Sequence, residues 1–304
     1  MKLTEKILES IAGKWKAPPV IINTTSKPKE PNSMEFNLDY ALNKQYLLKF
    51  KNGFPYDIMG KKILEIGCGQ GGISTFLAVN GASYVIGTDI NTFHLEVADQ
   101  FKNKIQNELK IDLSDRLLFK VEDAYNMSFE ESSFDIIIAD NVFEHFMQPE
   151  KVLGECQRIL KPGGLVIIPN FNSIYSKYGA HLKYGLKLPW VNLFFSEKTI
   201  CRTLFNMAQK NPQLKKAYPG ISPTTTKIKD LRAYQDLNSM TFKKFSEMAH
   251  ANGFKIASFV ISPPFKKFKF LFSSMYRVQY LKFGRLSDIF SIGVSCVLTK
   301  VNSK

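Results

Sequence analysis

Between residues 62 and 170 the chain alternates short apolar runs of strand length with longer stretches whose apolar positions recur at helical spacing. KILEI (62–66), YVIGT (84–88), RLLFKV (116–121), FDIIIA (134–139) and LVIIP (165–169) predict five strands. Between them, 72–80, 92–109 and 149–160 predict helices, the last stopped by Pro162-Gly163-Gly164. FDIIIA is apolar in all but Asp135, as expected for a strand covered on both faces. Strands alternating with helices predict an α/β fold, a doubly wound and mostly parallel sheet with helices on both sides.

Outside that span the pattern changes. Residues 1–60 read as a short helix, a Pro/Lys/Ser-rich loop and a helix near Asp39 to Lys51, an N-terminal extension. After Pro169 regularity lapses until a helix at 241–252 closed by Gly253, a strand FKIASFVI (254–261) and a last strand IFSIGVSCVLTK (289–300), with one helix at about 196–210 in the gap. A structureless loop of that length is unusual in a folded domain. Residues 61–304 are therefore expected to form one domain carrying insertions at about 170–240 and 263–287, both folded over the sheet edge as a lid.

Composition narrows the class. At 44% hydrophobic and 22% charged the chain reads as a globular protein, and no uninterrupted apolar run reaches the roughly 18 residues of a membrane span. The first residues, amphipathic and carrying Glu5 and Glu9, lack the apolar run of a signal peptide, so the expected location is cytoplasmic. Cys68, Cys156, Cys201 and Cys296 stand apart, with no C-x-x-C pair to signal a metal site or a disulfide framework. Charge is uneven: net +3 over 1–60, −6 over 61–170 and +17 over 171–304. A basic C-terminal part suits an anionic partner, or serves only as a solvated surface.

The chemistry concentrates in Glu65-Ile66-Gly67-Cys68-Gly69-Gln70-Gly71-Gly72. Glycines directly after a first strand permit a tight turn and let a ligand approach the backbone, and the next helix offers free N–H groups. Gly67, Gly69 and Gly72 also match the dinucleotide pattern G-x-G-x-x-G. Glu65 separates the readings: an acid two residues before the first glycine suits a cationic amino-acid ligand and would repel a pyrophosphate, which weighs against a nicotinamide dehydrogenase.

Asp89 ends the second strand, Asp123-Ala124 follows the third, and FDIIIADNVFEHF with RILKPGGLVIIP spans the fourth and fifth. Taken in order on these elements, the motifs resemble class I S-adenosylmethionine-dependent methyltransferases, particularly the small-molecule type that includes the quinone-biosynthesis methyltransferases. The resemblance covers about 61–170. It implies seven strands in the order 3-2-1-4-5-7-6 and S-adenosylmethionine as cofactor. It places Glu65, Gly67, Cys68, Gly69 and Gly71 around the donor, Asp89 and Ile90 at the ribose and Asp123 and Ala124 at the adenine. Asp140 and Asn141 would lie beside the methyl group and the substrate.

Methyl transfer from a sulfonium needs above all a nucleophile held in line, and a general base only if the acceptor must lose a proton. His145 in DNVFEHF and His181 in YSKYGAHLKYG are candidates for that base; His94 and His250 read as surface residues. Tyr175, Tyr178 and Trp190 are candidates to line an acceptor pocket. Asp140-Asn141-Val142-Phe143 does not fit the Asn/Asp-Pro-Pro-aromatic motif of DNA amino-methyltransferases, and the Pro-Cys of cytosine C5 enzymes is missing. The stretch from Asn172 to Glu197 resembles bacterial methyltransferases near glycan or polyketide genes, which implies a small-molecule or carrier-linked acceptor. The basic aromatic run FKKFKFLF within 263–287 leaves three readings open: a phosphate or anionic membrane surface, single-stranded nucleic acid, or a cover for the sheet edge. An RNA methyltransferase and a non-catalytic binding protein are the alternative functions.

Overall fold

A computed structural model describes residues 2–14, 57–179, 182, 186, 188–231, 238–262 and 285–301. The expected helix near Asp39 to Lys51, His181 and nearly all of the basic insertion at 263–287 lie outside the described residues.

Seven strands form one sheet: β1 (Lys62–Ile66), β2 (Tyr84–Asp89), β3 (Leu117–Val121), β4 (Phe134–Ile138), β5 (Leu160–Phe171), β6 (Phe254–Ser262) and β7 (Gly293–Lys300). Their order is β3-β2-β1-β4-β5-β7-β6, as the resemblance implied. The first five run parallel, while β7 is antiparallel to both β5 and β6. The period of two along each strand sends alternate side chains to opposite faces. Ile63, Ile136, Ile138 and Ile167 meet helices α2 (Gly72–Val79) and α3 (Thr92–Leu109) through Leu77, Ala78, Leu95 and Ala98. Leu64, Ile137, Val166 and Ile168 meet α4 (Pro149–Ile159) and α8 (Phe242–Ala251), whose Leu153, Cys156, Phe245 and Met248 close the other face. Burial pushes the Cys156 thiol up to about 12, in keeping with an inert apolar filler.

Register decides where the loops emerge. Ile66 pairs with Thr88, Asp89 with Val121, and Ile138 with Ile167. The turns after β1 to β4 and the chain beyond Ile168 therefore share the carboxyl edge of the parallel strands, where open α/β sheets bind their ligands.

The segment after β5 has a core of its own. Helices α5 (Val191–Phe194), α6 (Glu197–Lys210) and α7 (Pro212–Ala217) bury Val191, Ile200, Leu204, Leu214 and Tyr218 together with Leu8 of α1 (Leu3–Lys14). Ser196 caps α6 by accepting from Thr199 N, and Asn211 caps α7, with Pro212 in its first turn. Glu9 reaches Lys210 at 2.9 Å and the buried Glu5 lies 3.8 Å from Arg202. The N-terminal helix, expected as part of a separate extension, thus packs on the insertion.

The last strand starts later than the sequence suggests. Residues 285–289 form a helical turn, α9 (Arg285–Ile289), in place of the start of a strand at 289. Asp288 is buried there because its carboxylate accepts from Phe242 N at 2.8 Å, and Ser291 Oγ donates to Asp288 O at 2.7 Å.

Candidate functional site

The loop from β1 into α2 is built on three left-handed glycines, Gly67, Gly69 and Gly71, at φ 69°, 53° and 73°. Two of them are closed in from behind. A Cβ on Gly67 would stand 2.7 Å from Val142 Cγ2, and one on Gly71 would collide with Phe119 and Ala98. Gly69 differs: a Cβ there would meet nothing within 4 Å. The bend therefore presents one open backbone position at the carboxyl edge, a cradle that only glycine leaves unfilled and unstrained.

Glu65 lies beneath this bend at 2% exposure, accepting a hydrogen bond from Ser74 Oγ of α2 at 2.5 Å. Its carboxylate braces the loop against the helix and supplies negative charge from below. Cys68 donates its N–H to Thr88 O, and Gly71 donates to Cys68 O, so β2 and the bend hold each other. Burial first, then Glu65 and Asp89, push the Cys68 thiol well up. That keeps it protonated and unreactive.

Asp89 closes the bend from the side. Its Oδ2 accepts from Gly69 N at 3.0 Å and its Oδ1 from Asn91 N at 2.9 Å. Burial works to raise this carboxyl, but His94 and the two backbone donors outweigh it and hold it below the usual range. Ile90, next in sequence, is 76% exposed and offers an apolar surface beside that carboxylate. Asp123 is exposed, and its Oδ1 accepts from Tyr125 N at 2.9 Å, the hydrogen bond of a turn residue. Ala124 beside it is half-buried.

On the other side of the edge, Asp140 is half-buried and Asn141 sits at φ 55°, donating its N–H to Asn170 O. Asn170 Nδ2 donates to Asn141 Oδ1 at 2.8 Å, and Asn172 Nδ2 to Glu144 Oε1 at 3.2 Å. Glu144 is 2% exposed within a short 3₁₀ turn, Phe143–His145. His145 ends that turn half-buried, its N–H donated to Val142 O. Asn238 clamps the turn by donating from its backbone to Glu144 O and from its side chain to Phe143 O and Phe146 O.

Tyr175 lies half-buried in the turn after β5, where its N–H donates to Ser173 Oγ. Tyr178 and Trp190 come together about Lys177, whose Nζ stands 5.5 Å and 5.9 Å from their ring centres. Burial lowers the pKa of that ammonium. Trp190, at φ 54°, donates its indole N–H to Ile289 O at 2.8 Å, and Lys177 N donates to Ser291 O, so this aromatic group leans on the chain leading into β7.

Sequence reasoning missed Asn170, Asn172, Glu144, Asn238 and His94. Asn170 and Asn172 were legible in principle: two amides spaced by two at the end of a strand share one face. Glu144 stood in view in the acid–His pair with His145. His94, read as a surface residue, is half-buried with its Nδ1 turned toward Asp89. His250 does sit on an exposed helix face, its Nδ1 paired with Ser246 O.

Sheet order, glycine bend and strand-end carboxylate together define the class I S-adenosylmethionine-dependent methyltransferase fold. Residues 64–168 match the family described as "Methyltransferase domain", which brings β1 to β5 and their loops under one description. The chain is 30% identical over 135 residues to a ubiquinone biosynthesis O-methyltransferase from Pasteurella multocida, covering 43% of this chain and 53% of that one. It is 33% identical over 109 residues to methyltransferase GfsG from Streptomyces halstedii, covering 36% and 37%. It thus spans about half or less of the length of these two relatives. In three dimensions it resembles an S-adenosylmethionine-dependent methyltransferase from Mesorhizobium loti at a TM-score of 0.52 and 13% identity, covering 88% of this chain and 100% of the other. One from Listeria monocytogenes gives 0.51 and 13%, over 86% and 98%.

Proposed function

We propose that this chain is an S-adenosylmethionine-dependent methyltransferase for a small-molecule or carrier-linked acceptor that carries an acidic or phenolic group. One observation carries the cofactor assignment: the open position above Gly69 is flanked by the Asp89 carboxylate, hydrogen-bonded to Gly69's own N–H. A nucleoside resting on the bend would offer its sugar hydroxyls to Asp89 and its base to the slot of Ile90, Asp123 and Ala124. The acid under the loop, Glu65, favours the positively charged amino-acid end. Bound there, S-adenosylmethionine supplies an electrophilic methyl group.

The residues of the chain then have positioning to do. Asp140 and Asn141 form the wall between donor and acceptor. The Asn141–Asn170 and Asn172–Glu144 hydrogen bonds fix that wall, and Asn238 holds the 3₁₀ turn that carries His145. We assign His145 to taking the acceptor proton, if one must leave, and Tyr175, Tyr178 and Trp190 to lining the acceptor pocket. Lys177 supplies a cation among those rings, which favours an anionic or ionising acceptor. Exposed Leu193, Phe194, Phe290 and Ile292 near this group support a second role, peripheral contact with an anionic membrane surface.

Calorimetry with S-adenosylhomocysteine is the first test. Gly69→Arg, which fills the cradle, should abolish binding, and Asp89→Ala should weaken it by about 1–3 kcal/mol, since it leaves the sugar hydroxyls without a charged acceptor. Unchanged affinity in both variants would overturn the assignment. With a panel of phenols and carboxylic acids, turnover should concentrate on acidic acceptors in the wild type, and Lys177→Met should erase that preference.

A further inference from the structure

His94 belongs to no motif and reads in sequence as a surface residue, yet its Nδ1 is buried and has no hydrogen-bond partner. It stands 3.6 Å from Asp89 Oδ2, just beyond hydrogen-bond distance. The position follows from the helix start. Asn91 caps α3 by accepting from Phe93 N, and the first turn then swings residue 94 back over the end of β2. A carboxylate oxygen accepts two hydrogen bonds comfortably. Oδ1 has taken one, from Asn91 N, and Oδ2 one, from Gly69 N. Each oxygen keeps one further place, and His94 faces the one on Oδ2.

We propose that His94 is a positioning residue for the cofactor's ribose, competing with a sugar hydroxyl for Asp89 Oδ2: neutral, it yields that place, and protonated, it closes onto the carboxylate. The proposal rests on the cofactor reading above. Asp89 is the charged group within 4 Å of His94. The other charged and titratable groups on the packed elements are engaged elsewhere or exposed. On α3, Asp99 pairs with Lys102 at 2.9 Å and Glu96 is exposed. The bend contributes the buried Cys68 above Glu65, which is held by Ser74. On β3, Lys120 reaches Glu122 at 2.6 Å. Since Asp89 itself stays ionised well into the acid range, a change in its grip between pH 5 and 8 comes from histidine.

The test is calorimetric titration of S-adenosylhomocysteine into the full chain between about pH 5.5 and about pH 7.5, the range in which an imidazole changes charge. Wild-type affinity should be about 3- to 10-fold weaker at the acid end, the net worth of one ordinary hydrogen bond. His94→Gln should bind as tightly as the wild type at the neutral end and show no acid loss. His250→Gln, far from the bend, should keep the wild-type profile. An acid loss that persists in His94→Gln, a flat wild-type profile, or an equal loss at every pH in His94→Gln would each overturn the proposal while leaving the cofactor reading intact. No binding by the wild type at any pH would overturn both.

Discussion

At Gly67 two costs coincide. An alanine would have to hold φ 69° and would also press its Cβ to 2.7 Å from Val142 Cγ2. Left-handed backbone costs a non-glycine residue about 1–3 kcal/mol, and overpacking about as much again. Gly67→Ala should therefore lower stability by about 2–5 kcal/mol in urea titrations. Adding Val142→Ala should return only the packing share, leaving the backbone strain, and full recovery would show that strain at the bend is negligible. Gly69 separates the same two effects differently. With open space around it, a small side chain should cost little more than strain in stability while blocking the ligand. The glycines were legible from sequence as a group, but which one faces solvent was not. That depends on Val142, Phe119 and Ala98, which arrive from distant parts of the chain.

Elements are held to one another by a few polar staples. Arg158 on α4 donates to both carboxylate oxygens of Glu155 and to the carbonyls of Met127 and Phe129, while Glu155 also accepts from Met127 N. This fastens the chain between Asp123 and β4 to the helix. Arg158→Met keeps the apolar stem and removes the donors, and should cost about 1–3 kcal/mol in thermal or urea unfolding without changing cofactor affinity. In the core of the segment after β5, Leu8 is fully buried against α6 residues although it lies almost 200 positions away from them. Leu8→Ala should cost about 2–4 kcal/mol, felt as faster hydrogen exchange in 197–210 before any change in β1 or β4. Equal acceleration in the sheet would mean that this segment and the sheet unfold as one unit.

The central strands could be read from their apolar runs because β1, β2 and β4 are covered on both faces, and the few polar residues within them, such as Glu65 and Asp135, do not disguise the runs. Helix α1 has an apolar stripe too, but periodicity says only that a face is buried and not against what. The same limit hid the late start of β7. Phe290 and Ile292 look like strand residues, and the buried Asp288 that anchors Phe242 N gives no local sign of its distant partner.

For the whole molecule, several carboxyls are held below their usual range. Asp89 and Asp135 are held down by their hydrogen-bond donors against burial, and Glu155 chiefly by Arg158. A depressed carboxyl stabilises the fold above its unfolded pKa, and that contribution is lost as the pH falls through the folded value. The melting temperature should thus stay nearly level from about pH 7 to about pH 5 and drop below about pH 4. A drop beginning near pH 6 would point to histidine. Among the described residues no helix is long and apolar enough to cross a membrane.

Asn238 has a consequence for anyone recombining such proteins. Its backbone and side chain together bond three carbonyls of the turn that bears His145. The segment after β5, transplanted from a relative that lacks this amide, would arrive without its buckle and leave the turn that bears His145 loose. Chimeras whose graft ends before residue 238 should keep their turnover, while those whose graft runs past it should fold and bind nucleoside yet work slowly.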